Sequence, residues 1–262
     1  MRTKFSLSIC LGIIAGSMGM AASAQAFSFT TNFTEDLIDP DAAKGNIWLN
    51  SVEFGGTTVS NFSFVDRVNI IENDLWIRGN SGAASADRGD LAVGLVQELL
   101  TDAGALTALG NNNLNNIIDG EDRGAFEMNV WFDKAVDNLF FWERGLNSAM
   151  TIQAIDKSGN MIGNLLTIDS RTWDYAEFDL NTMEIGGTQR VGSLGVSLAD
   201  LGLSSAIAGI QVSADRTSFF NGPDWKVVGS AASVPEPGTV MGLGAIASGM
   251  LVSSRRKKAQ KG

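Results

Sequence analysis

From Phe126 to Phe132 the chain alternates without a break: Phe126, Met128, Val130 and Phe132 on one parity, Glu127, Asn129 and Trp131 on the other. A period of two puts the two sets on opposite faces of an extended backbone, so this stretch reads as a strand with one face on a core. Short runs of the same kind recur between clusters of Gly, Asn, Asp and Ser. Ile47 and Leu49 share one parity, Val52 and Phe54 the other, which predicts a bulge or change of face near Asn50-Ser51. Gly55-Gly56 turns the chain into Thr57–Val65, where Phe62 and Phe64 share a face. Leu139–Trp142 is apolar on both faces, as in a central strand. Ile152–Ile155, the turn Asp156–Asn160 and Met161–Ile168 predict a hairpin, and Ala206–Ser213 and Trp225–Gly229 close the series. Against this pattern, Leu95, Val96, Leu99, Leu100, Ala103 and Leu106 recur at three- and four-residue steps. They predict one amphipathic helix over 93–109 ending at Gly110, with a single short turn at Ser197–Gly202. No repeat of fixed period is present. The expected fold is mainly β: a single jelly-roll-like or immunoglobulin-like β-sandwich with a short helical insertion.

The two ends read differently. Arg2 and Lys4 precede an apolar, uncharged run from Phe5 to Met20, which closes on Ala24-Gln25-Ala26. A basic start, an apolar stretch and a small-x-small ending are the ordered parts of a secretory signal, so residues 1–26 are expected to be removed by signal peptidase. At the other end, Pro235-Glu236-Pro237 is followed by seventeen uncharged residues, Gly238–Ser254, and then by Arg255, Arg256, Lys257 and Lys258. A helix of that length rises about 26 Å, just short of a typical hydrocarbon core. Gly242, Gly244 and Gly249 make it a weak anchor. The basic cluster would act as a stop signal on the cytoplasmic side.

Pro235-Glu236-Pro237, the glycine-rich span and the Arg-Arg-Lys-Lys ending together resemble the PEP-CTERM sorting signal, which is read by exosortase-type membrane proteases. The region ahead of it resembles one cyanobacterial group of exosortase-dependent surface proteins. Three segments carry that likeness: Gly110–Asp119 (GNNNLNNIID), Phe132–Gly145 (FDKAVDNLFFWERG) and Asn221–Gly229 (NGPDWKVVG). The resemblance implies a chain divided into a signal peptide (1–26), an acidic β domain (27–234) and a sorting signal (235–262). It implies signal peptidase and exosortase as partners, transient membrane anchoring through the tail, and display at the cell surface or release outside. It brings no biochemical activity.

Trimming both ends changes the charge. The leader holds two of the 19 basic residues and the tail five, while the tail holds one of the 29 acids. Residues 27–234 therefore carry 12 basic against 28 acidic groups, near −16, where the whole chain is −10. Such a surface repels nucleic acid and anionic lipid. The one cysteine, Cys10, leaves with the leader, and the chain has no histidine. These absences rule out disulfides and thiol nucleophiles in residues 27–234. They also rule out Ser-His-Asp catalysis and zinc or copper sites built on His or Cys.

Four constellations remain. Asp119, Glu121 and Asp122 place three carboxylates around Gly120, a set of hard oxygen donors suited to calcium; an ordinary polar turn is the competing reading. Asn111–Asn113 with Asn115 and Asn116 reads as a capped, turn-rich loop after the helix, with a sugar-contacting loop as the alternative. Among Trp48, Trp76, Trp131, Trp142, Trp173 and Trp225, Trp131 is the candidate carbohydrate platform, because Val130 and Phe132 should point the other way. Glu143 with Glu177 or Asp174 would supply a carboxylate pair for glycoside hydrolysis. The function expected from all this is that of an exported, exosortase-sorted cell-surface or extracellular-matrix protein with a non-catalytic structural or interaction role. A carbohydrate-binding module for exopolysaccharide, calcium-assisted, is the alternative, and a glycoside hydrolase comes third.

Overall fold

The computed structural model describes residues 26–39, 43–75, 83–88, 100–182 and 187–232. The sorting motif Pro235-Glu236-Pro237, the basic cluster Arg255–Lys258, Trp76, residues 93–99 and nearly all of the expected leader lie outside them.

The described residues are mainly β and antiparallel. The strands β1 (Thr30–Asp39), β2 (Lys44–Phe54) and β3 (Thr57–Val59) form a three-stranded sheet in that order. The others join one eleven-stranded sheet. They are β4 (Phe62–Ser63), β5 (Val65–Asn73), β6 (Ala83–Arg88), β7 (Asn116–Gly120), β8 (Phe126–Arg144) and β9 (Met150–Ile155), followed by β10 (Met161–Ile168), β11 (Asp174–Leu180), β12 (Gln189–Ser197), β13 (Ile207–Ala214) and β14 (Trp225–Ala231). One helix, α1 (Asp102–Leu109), is present among the described residues, and none there is long and apolar enough to cross a membrane.

The spine is β8, 19 residues long. The sequence reads as two strands because the polar stretch Asp133–Asn138 separates two apolar runs. The structure joins them. Asp133 N–H donates to Phe64 O (2.9 Å) and Lys134 N–H to Ser63 Oγ (2.9 Å), so the backbone stays bonded across the polar stretch. Partners change there: the first half of β8 pairs with β5 and β13, the second with β12 and β14. Phe126–Phe132 is accordingly covered on both faces, and Asn129 and Trp131 are buried along with the apolar set. Two apolar clusters sit on either side of the spine. Phe141 belongs with Met128, Val130, Ile152, Ile210, Val212 and Trp225; its neighbours Phe140 and Trp142 belong with Ile47, Leu49, Val52, Phe178 and Val228.

Several sequence expectations are met locally. Asn32 faces Ser51 and Phe33 faces Leu49, so Asn50 is the extra residue of a bulge and the buried parity changes between Leu49 and Val52. Gly55 and Gly56 take φ of 55° and 76°, the left-handed pair that a tight β2–β3 hairpin needs. The hairpin β9–β10 and the turn at 198–202 also form. The helix ends at Gly110 as expected, with Gly110 N–H on Leu106 O, but starts later than residue 93. Leu100 and Thr101 are not helical, and Thr101 Oγ1 accepts from Gly104 N–H (3.1 Å) as an N-cap. Strand β5 was not legible. Bulges at Asp66 and Ile71 break its alternation, leaving its buried residues Val65 and Val68 at helix-like spacing. Phe27, the first residue after the expected leader, is bridged to Gly195 by two backbone hydrogen bonds and stacks on Phe54 at 4.7 Å.

Candidate functional site

The three segments that carry the family likeness converge. Asp119 is the penultimate residue of β7, Arg144 ends β8 and Asp224 precedes β14. Arg144 donates through Nε (3.0 Å) and Nη2 (2.8 Å) to Asp224 Oδ2, and Nη2 lies 3.6 Å from Asp119 Oδ1. Arg144 also donates to the Thr182 hydroxyl, and Asp224 Oδ1 accepts from Gly120 N–H (2.9 Å). The Arg144 side chain is 1% exposed and both aspartates 8%. On the next strand position Lys226 is wholly buried and donates to Ala108 O (2.8 Å), Asn111 Oδ1 (3.2 Å) and Asn116 O (3.1 Å), a cation at the C-terminus of α1. Burial pulls its pKa down to about 7.

The asparagine run holds this corner together. Asn113 Oδ1 accepts from Ile47 N–H (3.0 Å) and Asn113 Nδ2 donates to Asn46 Oδ1 (2.7 Å), while Asn111 Nδ2 donates to Thr107 O (2.7 Å). Asn113, Asn115 and Asn116 are buried, so the capped loop runs into β7 and ties β2 to the helix.

Glu143, next to Arg144, is fully buried and neither carboxyl oxygen closes a hydrogen bond of ordinary geometry. Burial, and secondarily the negative charge of Asp224, push its pKa well above the usual carboxylate range; the Ser148 hydroxyl and the amides of Leu146 and Asn147 offset this only in part. The folded chain therefore keeps a proton that the unfolded chain gives up above about 4.5, and stability contributed here falls as pH rises from that value. Glu143→Gln, which mimics the protonated form, is expected to raise the melting temperature at neutral pH and to flatten that fall. Unchanged pH dependence in the variant would show Glu143 to be ionised in the fold.

The candidate calcium ligands are not brought together. Asp119 faces Arg144, Asp122 is exposed in the following turn, and no group of three acidic residues suited to a metal forms among the described residues. Of the hydrolytic pair, Glu143 has no exposure, whereas Asp174 and Glu177 are exposed on β11.

Trp131 is not the bare platform the alternation suggested. It is 8% exposed, its Nε1–H donates to Asp156 O (3.0 Å), and the Arg67 guanidinium lies 3.6 Å from its ring centroid. The covering follows from register. Val65 faces Phe132 and Arg67 faces Trp131, so Asp66 is a bulge residue that brings Arg67 onto the indole. Trp131 nevertheless lines a cleft of ≈ 750 Å³, built where β8 changes partners. Across the cleft, β13 skips from Ile207 opposite Val136 to Gly209 opposite Trp131, and Phe132–Ala135 arches out of the pairing. Arg67, Lys134 and Lys157 are exposed at its rim, with Phe132, Ile162 and Ile207 as its apolar part. The arched segment is the exposed portion of the second likeness segment.

Comparison with protein-family models, curated proteins and solved structures finds no match.

Proposed function

We propose that the chain is an exported surface or extracellular-matrix protein, delivered by exosortase processing, whose β domain has a structural and interactive role without catalysis of its own. In this reading the mainly β fold is a jelly-roll-like or immunoglobulin-like sandwich, the leader is removed by signal peptidase, and the tail is a transient anchor. The observation that carries it is the use made of the three likeness segments: five of their eight ionisable side chains, Asp119, Glu143, Arg144, Asp224 and Lys226, build the interior corner of the domain. A segment selected for an interior corner serves a scaffold. The ordered signals at the two ends supply the route. Fractionation of cells with and without the exosortase tests this: the wild type is expected to carry the protein at the surface or in the medium, the exosortase-less strain in the membrane. Equal distribution in the two strains contradicts it.

A second reading, a carbohydrate-binding module, is favoured by the Trp131 cleft, an open site that combines apolar floor, indole and hydrogen-bonding rim.

A further inference from the structure

We infer that the Trp131 cleft binds a sugar polymer carrying carboxylate groups, with Arg67, Lys134 and Lys157 as the anion-gripping residues. The inference rests on the carbohydrate reading and names the ligand class within it.

The domain has only 12 basic residues among 208, and its charge is near −16. Most of the others that the structure describes are engaged: Arg144 with Asp224, Arg171 with Asp169, Arg216 with Asp74, Lys226 inside the corner, and Arg190 over the Tyr175 ring. Three converge on this one cleft, and none of them is in an ion pair with another described residue. Arg67 donates to Lys157 O (3.0 Å), and Lys134 Nζ reaches only the Asn61 amide oxygen at 3.5 Å. Stacking on Trp131 fixes the guanidinium plane and leaves most of its five N–H donors for a planar carboxylate. The lining also carries three carboxylates, Asp66, Asp133 and Asp156, of which the last two are hydrogen-bonded within the protein. Asp156 accepts from Ser158 N–H, Asn160 N–H and Asn160 Nδ2, and Asp133 Oδ1 accepts from the Ser63 hydroxyl and Phe64 N–H.

An acidic peptide shares the charge but fits less well. A peptide added as a strand needs free backbone groups, and several of those in the arch are taken: Asp133 N–H by Phe64 O, Lys134 N–H by Ser63 Oγ, and Ala135 O by Ala232 N–H. Recognition through side chains and an indole edge suits a sugar chain better.

The negative domain and the three cations of the cleft act over different ranges. At very low ionic strength, about 0.01 M, the screening length is about 30 Å and the whole domain repels a polyanion; near 0.15 M it is about 8 Å and the cleft prevails; near 1 M it is about 3 Å and the grip is screened too. Binding is therefore expected to peak at intermediate salt.

The test titrates the full-length chain with polygalacturonate, with a neutral glucan and with polyglutamate across that salt series. The expected result is binding to polygalacturonate with an intermediate-salt maximum. Arg67→Gln and Lys134→Gln are each expected to weaken it roughly tenfold. Lys134 is exposed and reaches only the Asn61 oxygen, so Lys134→Gln should melt as the wild type does, whereas Arg67→Gln also loses its stack on Trp131 and should melt slightly lower; the distant Arg171→Gln should bind as the wild type does. Equal binding of the neutral glucan overturns the anion grip while leaving the carbohydrate reading standing. No binding of either glycan overturns both. Preference for polyglutamate overturns the sugar class.

Discussion

Replacing Arg144 by methionine is expected to destabilise the domain by about 3–5 kcal/mol, because it removes the guanidinium that pairs with the buried Asp224 carboxylate and lies against Asp119. Total stabilities of single domains run to about 5–15 kcal/mol, so this loss removes a large share. For a domain of this size it corresponds to a melting temperature lower by roughly 10 °C or more. The mechanism is specific to breaking the pair. Taking two charges out of water costs several kcal/mol each, and the attraction between them roughly offsets that cost while both are present. Changing Asp119, Arg144 and Asp224 together to apolar residues of similar size should therefore cost much less than Arg144→Met alone. Chemical denaturation of the single and triple variants checks this. A triple variant as weak as the single one would show that Arg144 acts through packing, not charge.

Lys226→Met is the second large effect. It removes one donor from each of three acceptors, Ala108 O, Asn111 Oδ1 and Asn116 O, inside the corner where α1, β7 and β14 meet; Asn111 Oδ1 keeps Asn113 N–H (2.9 Å) and Ala108 O keeps Asn111 Nδ2 (3.3 Å). A lost hydrogen bond costs about 0.5–1.5 kcal/mol net, so a loss of about 1 kcal/mol or more is expected even after the cost of burying the ammonium is removed. The pH dependence identifies the group. Burial lowers the folded pKa to about 7 from 10.5, so between those values the unfolded chain holds a proton that the folded chain has given up. Stability contributed by Lys226 then rises as pH climbs from about 7 to 10.5 and is flat below that window. The gap between wild type and Lys226→Met should widen over that range. A gap that stays constant would mean the ammonium keeps its proton in the fold, stabilised by its three acceptors.

Local patterns were legible in the sequence; long-range capture was not. The parity change around Asn50, the Gly55-Gly56 turn and the end of the helix at Gly110 depend on neighbouring residues, and each forms as read; Phe126–Phe132 forms a strand, but it is buried on both faces rather than on one. The strand β5 was hidden because its bulges at Asp66 and Ile71 are defined only by the partner strand. The same bulge explains Trp131. Trp131 stays out of the apolar cluster that takes Val130 and Phe132, but nothing local announced that Arg67 would lie over it. Asp119 looked like a calcium ligand because its neighbours Glu121 and Asp122 are acidic. Its actual neighbour is Arg144, brought there by the pairing of β14 with β8 and β7. One signal was available: Glu143-Arg144 continues the apolar run Leu139–Trp142, and Lys226 sits inside Trp-Lys-Val-Val. Charges in such apolar strands must be paired or neutral when buried. Reading them that way would have pointed to the corner before the structure did.

The measurement that bears most directly on the role proposed for this chain is the mass of its mature C-terminal peptide, compared between a wild-type strain and one lacking the exosortase. Removal of the segment from Gly238 to Gly262 in the wild type, with its retention in the exosortase-less strain, is the result expected of a surface protein sorted through Pro235-Glu236-Pro237. An intact Gly238–Gly262 in the wild type would make the tail a plain anchor and contradict the sorting route.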